Sequence, residues 1–147
     1  MSKHKTRKFF VEAAISPAFV GDAIAKHNAK KNIGAHSIFL GQVRNDLIDG
    51  KNVKAIIYTA YQEMADEKLY EIRRDAFVKF PLTCLHIYHS LGEVMAGAIC
   101  LFIFTSSEHR KAAIEACNYI VNRVKEEVPV WGKEIFEDES YGWKQNK

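Results

Sequence analysis

Hydrophobic positions along this chain fall into short strand-like runs and longer helical stripes, and their alternation sets out the elements. Arg7 to Ile15 is rich in aromatic and branched residues and reads as a first strand. Ser16-Pro17 follows as a helix N-cap and a proline at the first helical position, so a helix is expected to about Asn28. After a turn at Lys30-Lys31-Asn32, Gly34 to Val43 reads as a mostly buried strand and Val53 to Tyr61 as its return. Between them the polar stretch Asn45 to Asn52 carries Asp49-Gly50, a turn signal. The two strands are expected to pair as a hairpin with a long, mobile loop and Arg44 at its edge.

From Glu63 to Phe80, residues Met64, Leu69, Ile72, Ala76 and Phe77 recur at steps of three and four, the stripe of a helix that Pro81 stops. Thr83 to His89 and Ala98 to Thr105 read as strands around turns at Gly92 and Gly97. The second contains Ile99-Cys100-Leu101-Phe102-Ile103-Phe104, apolar on both faces and therefore central. Ser106 or Ser107 caps the next helix, whose buried positions are expected at Ala113, Ala116, Cys117, Ile120 and Val124. Beyond Pro129, Glu134 to Trp143 reads as a short strand or a hairpin. No repeat interrupts this order, which implies a basic flexible tail over residues 1–8 and a single α+β domain over 9–147. Its sheet is expected to be mainly antiparallel, with helices packed on one side.

Composition narrows the classes. At 147 residues, 48% hydrophobic and 27% charged, the chain has the makings of one globular core. The formal charge of +3 becomes −1 once Lys3, Lys5, Arg7 and Lys8 of the tail are set aside, so the body lacks the basic footprint of a nucleic-acid face. No apolar run approaches the roughly 18 residues of a bilayer span, and a cytoplasmic location without membrane contact is expected. Cys84, Cys100 and Cys117 are odd in number, distant from one another and set in apolar surroundings, which suits core residues in a reducing compartment. Cys84-Leu85-His86-Ile87-Tyr88-His89 offers metal-ligand types, but on a strand Cys84 and His86 share one face and His89 takes the other. With so few donors converging, no metal is expected.

Three segments carry candidate chemistry. Val124 to Glu134 places Lys125 in the last turn of a helix and Lys133 on the segment that folds back after Pro129, so that two amines could face one pocket. Gly41-Gln42-Val43-Arg44-Asn45 puts an arginine at a strand end. Ser106-Ser107-Glu108-His109-Arg110 brings a titratable donor and a guanidinium to a helix N-terminus, where unpaired N–H groups and the positive dipole end suit a phosphate.

These segments, with Tyr58-Thr59-Ala60-Tyr61-Gln62-Glu63-Met64-Ala65 and the Leu91-Gly92-Glu93-Val94 turn, resemble the large, catalytic subunit of molybdopterin synthase, the MoaE family, from Phe9 to Trp143. The resemblance implies a hammerhead-like α+β fold and a sulfurtransferase of molybdenum cofactor biosynthesis. Such an enzyme converts cyclic pyranopterin monophosphate into the dithiolene molybdopterin, taking two sulfurs from the thiocarboxylated C-terminus of a small MoaD-like subunit. It implies no metal or other cofactor, a homodimer that becomes a heterotetramer with two small subunits, Lys125 and Lys133 as catalytic candidates, and Arg44, His109 and Arg110 as substrate contacts. Phe39 and Met64 read as channel or core residues, core being the safer assignment. One departure stands out: the family lysine expected directly after the aromatic is Gly132 here. Either Lys133 replaces it through a backbone shift that glycine permits, or Lys133 does not reach the pocket.

Arg110 and Lys125 lie fifteen residues apart on one expected helix, about 22 Å at the standard rise, so one small substrate cannot touch both in a single chain. A shared active site then needs Arg110 from a neighbouring subunit. Two rival readings are a non-catalytic dimeric module that binds a phosphorylated ligand, and an enzyme on another phosphorylated or acyl substrate with His109 as general base.

Overall fold

The computed structural model describes residues 9–145, and the basic tail over residues 1–8 lies outside them. The elements run β1 (Phe10–Glu12), α1 (Pro17–Ala25), β2 (Ala35–Gln42), β3 (Leu47–Ile48), β4 (Lys51–Ala60), α2 (Gln62–Lys79), β5 (Cys84–Met95), β6 (Ile99–Ser107), α3 (Arg110–Glu127), β7 (Val130–Phe136) and β8 (Tyr141–Trp143). The sheet order is β2-β6-β5-β4-β7-β8, with β3 beside β4 and β1 beside β5. Only the β1–β5 pairing is parallel among the described residues, so the α+β, mainly antiparallel class expected from the pattern is the one observed.

Strand β6 is central: Phe102, Ile103 and Phe104 are fully buried, and β2 and β5 flank it. Because β6 inserts there, β2 does not pair with β4 and the expected long hairpin is absent. Asp49-Gly50 instead closes the tight β3–β4 hairpin, both residues at positive φ (50° and 78°), as a two-residue turn between right-twisted strands requires. Nor is β2 mostly buried. Its residues alternate between half-buried and exposed, the signature of an edge strand, with Ile38 and Leu40 outward.

Strand β5 is a single bent strand of twelve residues, and Gly92 is a bend inside it rather than a turn. Residues Cys84 to His89 pair with β6 and Gly92 to Met95 pair with β4. At φ 88°, Gly92 adopts the left-handed backbone that lets one strand change partners midway.

Helices cover both faces of this sheet, not one. Helices α2 and α3 lie over the face carrying Leu85, Ile87, Leu101 and Ile103, and contribute Leu69, Ile72, Ala76, Cys117, Ile120 and Val124 to the main core. Helix α1, capped by Ser16 Oγ accepting from Phe19 N at 3.0 Å, packs Val20 and Phe19 over Phe102 and Phe104 on the opposite face. All five positions expected to be buried on α3 are so. On α2, however, Met64 and Phe77 face solvent while Ala65 and Asp66 turn inward, so the core assignment of Met64 is corrected; Phe39 packs half-buried against the main core. Ser106 and Ser107 remain in β6, and the N-cap of α3 is His109, whose side chain makes no capping bond.

Candidate active site

Two adjoining cavities, of about 250 and about 600 Å³, share Tyr58, Cys100, Lys125, Trp143 and Lys144 and therefore form one groove. Its deep end reaches His89, Val128, Trp131 and Gly132, and its open end reaches Phe39, Arg44, Asp46 and Glu134. The end of α3 delivers Lys125, because Pro129 stops the helix and Val130 begins β7. A bulge between Gly41 and Gln42 redirects the end of β2, after which Arg44 borders the groove. There Arg44 Nε lies 3.1 Å from Asp46 Oδ1, while its side chain remains 72% exposed. Sequence-separated Lys125 and Arg44 thus line one space.

Lys133 lines neither cavity. Alternation along β7 sends it to the face opposite Gly132 and Glu134, where its ammonium sits 4.5 Å from the centre of the Tyr141 ring. The second lysine of the groove is Lys144. Its backbone N–H donates to Gly132 O at 2.9 Å, extending the β7–β8 ladder by one residue and setting the two residues opposite each other. A Cβ added at Gly132 would stand 3.0 Å from Ile56 Cγ2 and 3.5 Å from Lys144 Cβ, so the Lys144 stem borders the space that the glycine leaves. His109 and Arg110 lie away from the groove at the other end of α3. The His109 side chain is 87% exposed, 3.7 Å from the Glu108 carboxylate, and the Ser107 hydroxyl donates to His109 O.

Residues 12–127 match the family model described as MoaE protein. The chain belongs to the MoaE family. It is 39% identical over 115 residues to the molybdopterin synthase catalytic subunit of Pyrococcus abyssi, covering 78% of this chain and 76% of that protein. Identity to the subunit of the same name from Bos taurus is 40% over 114 residues, covering 78% of this chain and 60% of the longer bovine protein. Among solved structures, molybdopterin synthase from Staphylococcus aureus superposes with a TM-score of 0.81 at 32% identity, covering 95% of this chain and 97% of that one. The fold is shared, at 20% identity and a TM-score of 0.80, with a structure of the complex of subunits 1 and 2 of molybdopterin-converting factor from Helicobacter pylori. That match covers 95% of this chain and 90% of that one.

Within this MoaE-family groove the electrostatics single out His89, a residue the sequence marked only as turned away from Cys84. Burial, with the Lys125 charge adding to it, lowers the His89 imidazole to about 4, while Nδ1–H donation to Ser90 O at 2.7 Å acts in the opposite sense. The ring is therefore neutral near pH 7, and with Nδ1 carrying the proton its Nε2 is an acceptor. Tyr58 packs edge-on against it with ring centres 5.1 Å apart. Burial holds the Tyr58 phenol far above its ordinary value, helped by Cys100 and Glu134, so it remains a hydroxyl. A neutral base, a phenol and two lysines line one half-enclosed space, with aromatic Trp131 and Trp143 exposed around it. No helix among the described residues is long and apolar enough to cross a membrane.

Proposed function

We propose that this chain is the catalytic subunit of a molybdopterin synthase, and that the Arg44–Lys125–Lys144–His89 groove is its active site. The observation that carries the reading is the convergence of Lys125, from the end of α3, with a second lysine and a neutral histidine in one groove made of two adjoining cavities. Family membership agrees with it, as do the names of the relatives.

In this reading the thiocarboxylated C-terminus of a MoaD-like small subunit enters past Arg44 and is flanked by Trp143 and Trp131. Each transfer forms a carbon–sulfur bond on cyclic pyranopterin monophosphate in exchange for a carbon–oxygen bond of that substrate, whose oxygen leaves with a proton, and water then cleaves the acyl carbon–sulfur bond and returns the donor to a carboxylate. One thiocarboxylate carries one sulfur, so each dithiolene consumes two donors. Lys125 and Lys144 offset the anionic charge of thiocarboxylate and phosphate and are the proton donors within reach, while neutral His89 accepts the proton of the attacking water. Lys144, not Lys133, stands in for the lysine absent at position 132.

Arg110 and His109 serve as phosphate contacts in the groove of a second copy, since α3 separates them from Lys125 of their own chain. The working assembly is then a homodimer with one small subunit at each groove, in the cytoplasm. Mixing the protein with its thiocarboxylated partner and cyclic pyranopterin monophosphate tests this reading: dithiolene product is expected in a single turnover. Tight partner binding without product would favour the non-catalytic binding module instead.

A further inference from the structure

On the sheet face opposite the groove, three metal-ligating side chains from two distant segments meet. Cys84 and His86 project from β5 on the side covered by α1, as their two-residue spacing dictates. His27, just beyond the end of α1, turns its ring onto Phe104 (centres 4.8 Å apart) and towards His86. The Cys84 sulfur and one nitrogen from each histidine all lie within 4.8 Å of one another. His27 and Cys84 are buried and His86 is partly exposed, so the cluster has a built floor and an entry path.

We propose that His27, Cys84 and His86 form a zinc(II) site that fastens the C-terminal end of α1 to β5. Two features of the hydrogen-bonded cluster also fit a metal. His27 Nδ1 lies 2.8 Å from Ala23 O. A carbonyl only accepts, so Nδ1 carries a proton and Nε2 is the nitrogen turned to the cluster, the second-sphere arrangement that orients a histidine for a metal. That Nε2 stands 3.2 Å from His86 Nε2. Zinc–nitrogen bonds of about 2.0–2.1 Å in a tetrahedron require nitrogens about 3.3 Å apart, so the two rings already span one tetrahedral edge.

The donor set supplies the choice of ion. Two imidazoles and a thiolate suit zinc, and they leave the fourth tetrahedral position to water. Lys30 Nζ donates to Cys84 Sγ at 3.0 Å, and the Phe104 ring beneath excludes solvent from one side. Uptake releases the thiol proton of Cys84 to the buffer and leaves the ammonium of Lys30 as a hydrogen-bond donor to the bound sulfur. Spacing along β5 brings two donors to one face; the third, just past α1, is brought there only by packing.

Because the cluster faces away from the groove, its test is independent of the sulfur-transfer reading. The full chain, freed of any affinity tag and stripped with chelator, is titrated with Co²⁺ and then with Zn²⁺. The proposal expects one equivalent bound, a tetrahedral cobalt spectrum with a thiolate-to-cobalt charge-transfer band, displacement of that band by zinc, and a rise in Tm with zinc. Cys84→Ser removes the band, Cys100→Ser retains it, and His86→Asn weakens zinc by at least about tenfold with an unchanged circular dichroism spectrum. A wild-type chain that binds no cobalt, or whose cobalt spectrum lacks the thiolate band, overturns the proposal. A band that survives Cys84→Ser and disappears with Cys100→Ser overturns it as well, by placing the metal in the groove.

Discussion

Acidification offers a quantitative test of the groove, because His89 is neutral there at a cost that can be worked out. Its folded value of about 4 lies below the ordinary 6.5. A folded value depressed in this way means that the unfolded chain binds more protons between the two, so stability is full above about pH 6.5 and falls as pH drops towards 4. The steepest slope for one proton is about 1.4 kcal/mol per pH unit, and the whole difference corresponds to about 3 kcal/mol. Between pH 7 and about pH 5 the His89 contribution to the loss comes to about 2 kcal/mol. Urea denaturation of wild type and His89→Gln at both pH values reads it directly. Other titrating groups, including His36, which burial and the neighbouring His27 hold below the ordinary value, act in both proteins and cancel in the comparison. Wild type is expected to lose about 2 kcal/mol more than His89→Gln over this interval. Equal losses would show that His89 is not held neutral by burial and the Lys125 charge, and would remove it as the proposed base.

Two further outcomes follow from the helices. Arg110→Ala and Lys125→Ala homodimers, each inactive, should regain up to about a quarter of wild-type turnover when their subunits exchange, because half of the random dimers carry one site with both residues intact; no recovery in proven mixed dimers would place Arg110 outside the site. Arg123 joins α3 to α2 through a 2.8 Å bond to Asp75, is held by 2.8 Å bonds to both carboxylate oxygens of Glu127 on its own helix, and its side chain is only 16% exposed. Arg123 holds both carboxyls below their ordinary values of 3.8 and 4.5. The stability they contribute is present above those values and disappears as pH falls through the lowered ones. Arg123→Met should therefore lower the urea midpoint at neutral pH by a margin that narrows in acid; a margin independent of pH would deny the network its electrostatic part.

How far these features were legible differs by element. The stripe of α3 is a local property, and every position it marked is buried. Ser16-Pro17 and Asp49-Gly50 are equally local, since a cap and a tight turn are written in adjacent residues. Strand pairing is not local. Strands β2 and β4 look like a hairpin in sequence, and only the claim of the apolar β6 on the centre of the sheet separates them. The Ser106-Ser107 pair only resembles a helix cap for a related reason: β6 extends through both serines, and Ser106 Oγ lies 2.7 Å from His36 Nδ1 on the neighbouring strand.

In the groove, the positions of Lys125 and Arg44 are legible in the sequence, because a proline-terminated helix and a strand end both bring side chains to the rim of a sheet. That of Lys144 is not, since its place opposite Gly132 depends on the register of β8 against β7. Gly132 stands where the resemblance expects a lysine, and alternation along the strand turns its neighbour Lys133 to the opposite face. His89 escaped for want of any local mark. Its chemistry arises from burial beside Lys125, which no spacing in the sequence encodes.

The groove is tested most directly by a single-turnover sulfur-transfer assay on Lys125→Met, Lys144→Met and Lys133→Met, each loaded with the same thiocarboxylated small subunit and cyclic pyranopterin monophosphate. The groove predicts that the first two lose about 10²–10⁴-fold in rate, the ordinary range for a lost proton donor, while Lys133→Met stays close to wild type. Loss of transfer in Lys133→Met with Lys144→Met unaffected would place the second amine at Lys133 and rule out Lys144.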